Sequence, residues 1–234
     1  MVLTYPVPEP DVPTMPTSGP RWPLYWDGKP EGTFTLVIPE RNRALHFAAL
    51  PASGPELVLQ AVTDRSGEGD RVEFLRDAKG TPTEVRHSGG YRVVVDTDPV
   101  LHRVTGLRLL HGAAHERSTV LVSFGYDASG DLTEVVNSTG RPLRYRYDGQ
   151  HRITSWTDRN NITFGYVYDH RGRVLRTVGP DGIYSGRFHY DTAARTTRYT
   201  DSLGHTTTYV LNGAGKVVAQ TDPLGNTTRT EWDE

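Results

Sequence analysis

Short apolar runs alternate with turn-forming segments along most of the chain, and this pattern predicts strands rather than helices. From residue 33 onward, runs of five to seven residues are rich in aliphatic, aromatic and β-branched side chains: TFTLVI, ALHFAAL, ELVLQAV, RVEFL, YRVVVD and TVLVSF. Segments containing Gly, Pro, Asp and Ser separate these runs, as hairpin connections do. No longer window carries apolar residues at helical spacing, and HGAAHE at residues 111–116 is one helical turn at most. The pattern predicts an all-β fold.

From Phe124 onward the sequence repeats itself. With Tyr126 as the first anchor, equivalent positions follow at spacings of 21, 21, 22, 21 and 21 residues, namely Tyr147, Tyr168, Tyr190, Leu211 and Trp232. An aromatic residue stands two positions before the first five anchors, namely Phe124, Tyr145, Tyr166, Phe188 and Tyr209. Asp or Asn follows each anchor, namely Asp127, Asp148, Asp169, Asp191, Asn212 and Asp233. Fourteen residues after the first five anchors stand Gly140, Asn161, Gly182, Gly204 and Gly225. Four columns in register identify an internal repeat.

Each repeat contains two turn signals. Asp or Asn at the first turn position can accept a hydrogen bond from the backbone two residues on, and Gly at the fourth adopts a positive φ without a Cβ clash. Two such turns leave two strands of about six or seven residues in each period, so one repeat is one hairpin. Asn161 stands in a column otherwise held by Gly, and Asn tolerates the left-handed region well. We therefore predict a positive φ at Asn161.

The aromatic pair of each repeat shares one face of a strand, because side chains alternate along a strand. A single hairpin cannot bury these rings, whereas stacked hairpins align them into a continuous aromatic ladder. We therefore predict an antiparallel sheet that gains one hairpin per repeat and twists as it grows, which leads toward a spiralling tube or shell.

The upstream half carries a weaker copy of the same template. Phe74, Asp77, Gly80 and Gly90 occupy the expected columns around Arg76, so residues 56–110 are predicted to be degenerate repeats. Half of the 16 prolines fall within the first 30 residues, which predicts an extended linker or strap. The predicted organisation is a Pro-rich extended segment (1–30), a β-rich introductory region with degenerate repeats (31–110), a connecting segment and strand (111–123), and the clear repeats (124–234).

Composition excludes several classes of protein. The 26 basic and 28 acidic residues give a net charge of −2, so there is no global attraction to nucleic acid or anionic lipid. The absence of cysteine excludes a disulfide scaffold, a thiolate zinc site and a cysteine nucleophile. No apolar stretch approaches the roughly 20 residues of a membrane-spanning helix. The N-terminus shows no secretory signal.

Candidate chemical sites are few, and each has a simpler interpretation. His111 and His115, with Glu116, have a spacing that metal ligands can use, but no third ligand is placed, and surface residues are the favoured interpretation. Asp residues that recur once per repeat are better explained as turn formers than as a glycosidase pair. The segment GEGD at 67–70 lacks the Lys and the helix of a phosphate loop, and there is no GxSxG motif. The cluster WPLYW at 22–26 predicts either a sugar-stacking platform or, preferably, a cap against the first strands. We predict no catalytic, cofactor or metal site.

The run YVYDHRGRV, and with losses YRYDGQHRI, resembles the YD (Rhs) repeat, and the segment from GPRWPLYWDGKPEG to GGYRVVVD is similar to the stretch that introduces these repeats in bacterial Rhs proteins. The resemblance implies a hollow β-cocoon that encloses a toxic C-terminal domain and is delivered by a secretion system or released at the cell surface. Teneurins and insecticidal toxin-complex proteins share the repeat. No self-cleaving core segment is visible, so no catalytic residue of the family maps onto this chain.

These observations predict a non-catalytic segment of an Rhs-type shell that encapsulates a toxin polypeptide and helps to deliver it. The expected partners are the toxin cargo domain, further repeats beyond Glu234 and secretion machinery, with no nucleic acid and no membrane span. We expect a cytoplasmic protein that is then secreted or delivered to the cell surface. The alternative is a cell-surface binding module whose repeat sheet recognises glycans or a partner protein.

Overall fold

The computed structural model describes residues 2–30, 32–50, 56–66, 69–112 and 117–232. Within these ranges it contains nineteen strands, two 3-10 turns (Pro39–Arg41 and Pro180–Gly182) and no α-helix. The described part therefore has no helix with the length and apolar character needed to cross a membrane. The chain divides into two compact units, residues 1–124 and 125–234. The prediction of an all-β, antiparallel fold is confirmed.

In the first unit, consecutive strands pair antiparallel in chain order. The strands are β1 (Leu24–Trp26), β2 (Phe34–Ile38), β3 (Arg43–Ala49), β4 (Leu57–Asp64), β5 (Arg71–Arg76), β6 (Pro82–His87), β7 (Arg92–Thr97), β8 (Val104–His111) and β9 (Arg117–Tyr126). Aliphatic and Phe side chains follow one another across one face, for example Leu45 opposite Val62 and Val62 opposite Val72. This side of the ladder is the apolar face of the first unit.

The Pro-rich N-terminal segment lies along β1. Thr14 exchanges two backbone hydrogen bonds with Leu24, of 2.8 and 2.9 Å, and the backbone N–H of Asp11 donates to the carbonyl of Trp26 at 2.9 Å. The Tyr5 hydroxyl donates to the carbonyl of Trp22 at 2.8 Å. Because prolines remove donors, this segment makes isolated bridges rather than a continuous ladder. It forms a strap on the edge strand.

In the second unit, each strand again pairs antiparallel with the next. The strands are β10 (Leu132–Asn137), β11 (Pro142–Tyr147), β12 (Ile153–Thr157), β13 (Thr163–Tyr168), β14 (Val174–Val178), β15 (Gly186–Asp191), β16 (Thr196–Thr200), β17 (Thr206–Leu211), β18 (Val217–Thr221) and β19 (Thr227–Arg229). The strands from β10 to β18 have five or six residues, slightly fewer than expected, because most connections take five residues.

Register places the aromatic residues of the second unit on one face. Tyr145 lies opposite Trp156, and Trp156 lies opposite Phe164, with the last two ring centres 4.8 Å apart. Further along, Phe188 lies opposite Tyr199, with ring centres 4.9 Å apart. Residues directly opposite each other in an antiparallel pair share a face. We call this side of the second unit the aromatic face, and the other side the polar face.

Little of either unit is fully buried. Among the described residues, the buried ones are Ile38, Ala44, Ala61, Thr63 and Ala219. Each strand packs mainly beside the strands that precede and follow it in the chain. Most side chains on the apolar and aromatic faces therefore remain partly exposed, as in a single-layered sheet.

The hairpin turns explain the Asp and Gly columns. In the turn after β12, the Asn161 N–H donates to the carbonyl of Asp158 at 3.1 Å, and the Asp158 N–H donates to the carbonyl of Ile162 at 2.9 Å. The Asp158 carboxylate accepts from the N–H groups of Asn160 and Ile162 at 2.8 and 2.9 Å. This is a tight turn followed by a residue in the left-handed region. Asn161 has a φ of 63°, and the four Gly residues of its column have φ between 73° and 90°.

Substitution of Asn161 should report this backbone geometry. We expect Asn161→Gly to be neutral or mildly stabilising, and Asn161→Val to cost about 1–3 kcal/mol, because a β-branched side chain is strained at positive φ. Thermal melts measure both, with Thr163→Val on the adjacent strand as the β-branched control. Equal stability of the Gly and Val variants would mean that residue 161 has ordinary extended geometry.

Candidate functional site

On the aromatic face, anchor tyrosines link their own strand to the strand that precedes it in the chain. Hydroxyls of three anchors donate to the backbone carbonyl that begins the preceding strand: Tyr147 to Leu132 at 2.8 Å, Tyr168 to Ile153 at 2.6 Å and Tyr190 to Val174 at 2.7 Å. The indole N–H of Trp232 donates to the carbonyl of Val217 at 2.8 Å. The ring is therefore held at its polar tip as well as along its apolar body.

A basic residue five positions after an anchor places its charged group over the aromatic ring of the next anchor. The guanidinium carbon of Arg152 lies 4.7 Å from the centre of the Tyr168 ring, and Arg152 also pairs with Asp148 at 2.7 Å. Arg173 repeats the arrangement, 4.3 Å from the ring centre of Tyr190 and 2.8 Å from Asp169, and Lys216 lies 5.0 Å from the ring centre of Trp232. We call the hydroxyl or indole hydrogen bond together with this cation–ring contact the inter-repeat tie.

Sequence reasoning missed the basic column of the tie. Arg152, Arg173 and Lys216 all stand five residues after an anchor, so the spacing was visible in the sequence. In the first repeat the position five residues after the anchor holds Asp131 in place of a basic residue. Asp131 accepts a hydrogen bond from His151 at 2.8 Å. His151 itself replaces the Gly of its turn, with a φ of 60°.

Several residues of the ties, and one glutamate of the first unit, have shifted pKa values. Burial raises the pKa of Tyr147, Tyr168 and Tyr190, which keeps the hydroxyls protonated as donors. Burial also disfavours ionisation of Asp169, but the backbone N–H and guanidinium of Arg173 outweigh it and lower the pKa of Asp169 to about 2. In the first unit, Arg92 and then Arg86 lower the pKa of Glu84 to about 2. Both carboxylates are therefore charged at any pH near neutrality.

A groove lies on the aromatic face between β13 and β18. It has a volume of about 570 Å³ and is lined mainly by the rings of Phe164, Tyr166, Tyr184, Phe188, Tyr199 and Tyr209. Tyr184 belongs to the connection between β14 and β15 and is 75% exposed, so it stands at the rim. The groove is apolar enough to accept an apolar side chain.

The structure places most predicted repeat residues where the columns suggest. The aromatic pair ends its strand at β9, β11 and β13, and Tyr209 and Leu211 end β17, whereas β15 runs one residue past its anchor, to Asp191. The Asp or Asn after each anchor takes the first turn position and accepts from backbone N–H groups, as Asp127 does from Ser129 and Asp131 at 2.9 and 3.0 Å. Asp233 lies outside the described residues.

The other candidates from the sequence take structural positions. The His111 ring nitrogen Nε2 is 2.8 Å from the Thr119 hydroxyl, while His115 and Glu116 lie outside the described residues, as do Gly67 and Glu68 of the GEGD segment. Within the described ranges, no three His, Asp or Glu side chains are grouped to hold a metal ion. The Trp26 ring stacks on Phe34 with centres 6.1 Å apart. Trp26 and Phe34 are directly opposite each other on β1 and β2, so this contact is a cross-strand pair.

The repeats match a known family model. The model of the RHS repeat matches residues 126–155 and 147–184. Over 77% of its length the chain is 31% identical to a protein of Dickeya dadantii named probable deoxyribonuclease RhsB, covering 12% of that protein. Over 58% it is 32% identical to probable deoxyribonuclease RhsA of the same organism, covering 9% of it.

The chain belongs to the Rhs (YD-repeat) family. Among solved structures, a chain of the Photorhabdus luminescens Tc holotoxin pore matches 93% of this Rhs chain with a TM-score of 0.52 and 13% identity, and 15% of its own length is covered. A TcdB2–TccC3 structure without the hypervariable C-terminal region matches 89% with the same TM-score, and 12% of it is covered. At this identity the likeness concerns the fold. The Rhs chain spans about a tenth of the length of its curated relatives.

Removing one tie hydroxyl should weaken the sheet. We expect Tyr168→Phe to lower the free energy of unfolding by about 1 kcal/mol, because the carbonyl of Ile153 loses its donor. Tyr209→Phe is the matched control, since the Tyr209 hydroxyl makes no hydrogen bond within the described residues. Urea denaturation measures both variants, and equal losses would show that the hydroxyl bond adds nothing.

Stability should depend on pH through Asp169 and Glu84. Their pKa values are lowered from 3.8 and 4.5 to about 2 by folding, so their contribution is complete above those ordinary values and is lost as the pH falls toward 2. We expect the contribution of these two carboxylates to the melting temperature to be constant from pH 7 to about 5 and to fall below about 4.5.

Substitutions test whether Asp169 and Glu84 cause this pH dependence of stability. Asp169→Asn with Glu84→Gln should melt lower than the native chain at pH 7, and the difference should shrink toward zero near pH 2. Asp181→Asn is the control, because the Asp181 carboxylate makes no hydrogen bond in the described structure. A difference that stays constant with pH would contradict the assignment.

Proposed function

We propose that this chain is a non-catalytic wall segment of an Rhs-type shell that encapsulates a toxin polypeptide and helps to deliver it. The observation that carries the proposal is the single-layered sheet, whose aromatic face offers a groove of about 570 Å³ and remains partly exposed. A large exposed apolar surface on a soluble chain marks a surface that binds another molecule. The Rhs repeat, and a relative named as a toxin, support a toxin polypeptide as that molecule.

The names of the relatives are consistent with a wall segment that does not itself carry the toxic chemistry. RhsA and RhsB are named probable deoxyribonucleases, and a Burkholderia cenocepacia relative, 29% identical over 56% of this chain, is named a double-stranded DNA deaminase toxin. Each of the three matches more than half of this chain, although two different chemistries are named. We propose that their shared part is the wall and that the chemistry belongs to other parts of those proteins.

The hydroxyl–imidazole chain of the first unit also supports a non-catalytic role. The Thr35 hydroxyl lies 3.2 Å from the His46 Nδ1 atom, and the His46 Nε2 atom lies 2.9 Å from the Thr63 hydroxyl. The Thr63 hydroxyl in turn donates to the carbonyl of Asp64 at 2.8 Å. A hydroxyl thus stands where catalytic triads place a carboxylate that stabilises the imidazolium. Burial and then the charge of Arg71 lower the pKa of His46, which makes it a weaker base. This chain of hydrogen bonds joins three strands.

The groove should bind an unfolded polypeptide. We expect the chain to bind reduced, carboxymethylated α-lactalbumin, a permanently unfolded protein, in fluorescence anisotropy. Tyr184→Ser should weaken binding about fivefold, because the exposed ring at the rim loses its contact with the bound polypeptide.

Tyr91→Ser is the matched control, because Tyr91 is a 62% exposed tyrosine of the first unit and does not line the groove. Circular dichroism melts verify that both variants stay folded. No binding, or equal weakening by both substitutions, would contradict the wall proposal.

A further inference from the structure

Two arginines face each other on the polar face of the second unit. Arg176 on β14 and Arg187 on β15 are directly opposite in the register, and both are exposed. Neither guanidinium has a hydrogen bond or an ion pair with any described residue. Like charges directly opposite in an antiparallel pair repel each other and destabilise the sheet. The pair therefore costs stability as the chain stands.

The repeat itself shows that this repulsion is not required by the fold. The same two columns, eight residues after one anchor and three before the next, hold Glu134 opposite Arg144, with their charged atoms 3.7 Å apart. In the other described repeats of the second unit these columns pair Ser155 with Gly165, Arg198 with Thr208 and Ala219 with Arg229. Within the described repeats of the second unit, arginine opposite arginine in these columns is thus particular to one repeat.

The first unit shows how a chain neutralises such a pair internally. Arg86 and Arg92 are also directly opposite each other, and Glu84 bridges them at 2.7 and 2.8 Å. No described carboxylate forms a bridge of this kind between Arg176 and Arg187. The geometry is that of an anion site in which the anion comes from outside.

A cavity adjoins the pair. It has a volume of about 400 Å³ and is lined by Arg176, Arg187, Ser185, Thr200, Asp201 and Ser202. Its rim is shaped by the connection of residues 179–185, which has seven residues where most turns of the unit have five. This longer connection belongs to the single repeat with a spacing of 22 residues.

The lining favours a ligand with both an anionic group and hydroxyls. Asp201 accepts from the N–H groups of Leu203 and His205, both at 2.9 Å, and its second oxygen lies 3.3 Å from the His205 ring. A carboxylate beside two cations suits a ligand that presents hydroxyl donors at one end and a negative charge at the other. Acidic sugars have this combination, whereas an acidic peptide side chain offers no hydroxyls.

We propose that this cavity binds an acidic sugar residue of a polysaccharide. Its carboxylate or sulfate bridges Arg176 and Arg187, and its hydroxyls bond to Asp201 and Ser202. On β16, Arg198 lies opposite His189 of β15, with the Arg198 Nη2 atom 3.4 Å from the His189 Nδ1 atom. Arg198 therefore extends the cationic surface beside the cavity, where the next sugar of the polysaccharide would lie. This role is separate from the wall function, because it uses the polar face.

Titration calorimetry at about 0.15 M salt, where long-range attraction is screened, tests the site. The probes are oligogalacturonate, which carries carboxylates, dextran sulfate, which carries sulfates, and neutral dextran and poly-L-glutamate as comparisons. We expect at least one acidic saccharide to bind and neutral dextran not to bind. Arg176→Glu should weaken that binding at least about tenfold.

The same variant should not lower the melting temperature, because the new carboxylate faces Arg187 as Glu134 faces Arg144. Arg141→Glu, an equal charge change at an exposed turn residue, should leave binding within about twofold. Arg187→Gln, which removes the positive charge and keeps a polar side chain, should weaken binding as Arg176→Glu does.

Four results would overturn the proposal: no acidic saccharide binds, Arg176→Glu and Arg187→Gln bind like the native chain, Arg141→Glu weakens binding as much as they do, or poly-L-glutamate binds as tightly as the saccharides. The last result would identify an acidic peptide site instead. Binding of the carboxylated or of the sulfated saccharide alone supports the proposal and identifies the anionic group.

Discussion

A hairpin of five- or six-residue strands cannot shield its own aromatic face, and this constraint governs the whole chain. Each hairpin gains stability only from its neighbours, through the ladder of backbone hydrogen bonds and the inter-repeat tie. The tie uses a polar group at the tip of an otherwise apolar ring, so the ring is oriented although it is only partly buried. Tyr168 shows this directly, with its hydroxyl on the carbonyl of Ile153 and Arg152 over its face.

Stability that comes from lateral contacts leaves both faces of the sheet free for other tasks. An ordinary globular chain uses its apolar face to form a core, whereas among the residues described here only a few small or medium-sized side chains, such as Ala61 and Ala219, are buried. The aromatic face therefore keeps a groove, and the polar face keeps unpaired cations. The two proposals for this Rhs chain use opposite faces, and the same sheet can serve both.

The repeat period, the anchors and the turn chemistry could be predicted from the sequence, because each depends on residues close together in the chain. The positive φ of Asn161 is of this kind, since the turn is local. The basic column was harder to recognise, because Arg152 acts on Tyr168 in the next repeat while its own column contains Asp131. The facing of Arg176 and Arg187 could not be predicted, because it depends on the register across two strands and an unusually long connection. Among sugar-binding candidates, sequence reasoning suggested aromatic residues, whereas the structure points to a charged cavity.

The ties have a mechanical consequence. Each tie joins one strand only to its neighbour, so a force that pulls on one end of the sheet loads the interface of the terminal repeat and leaves the others unstressed. Such a sheet peels one hairpin at a time, at a nearly constant force, instead of rupturing as a whole. The work needed to open it then grows in proportion to the number of repeats, and a repeat without a tie hydroxyl, such as the one anchored by Leu211, is a point where peeling is easier.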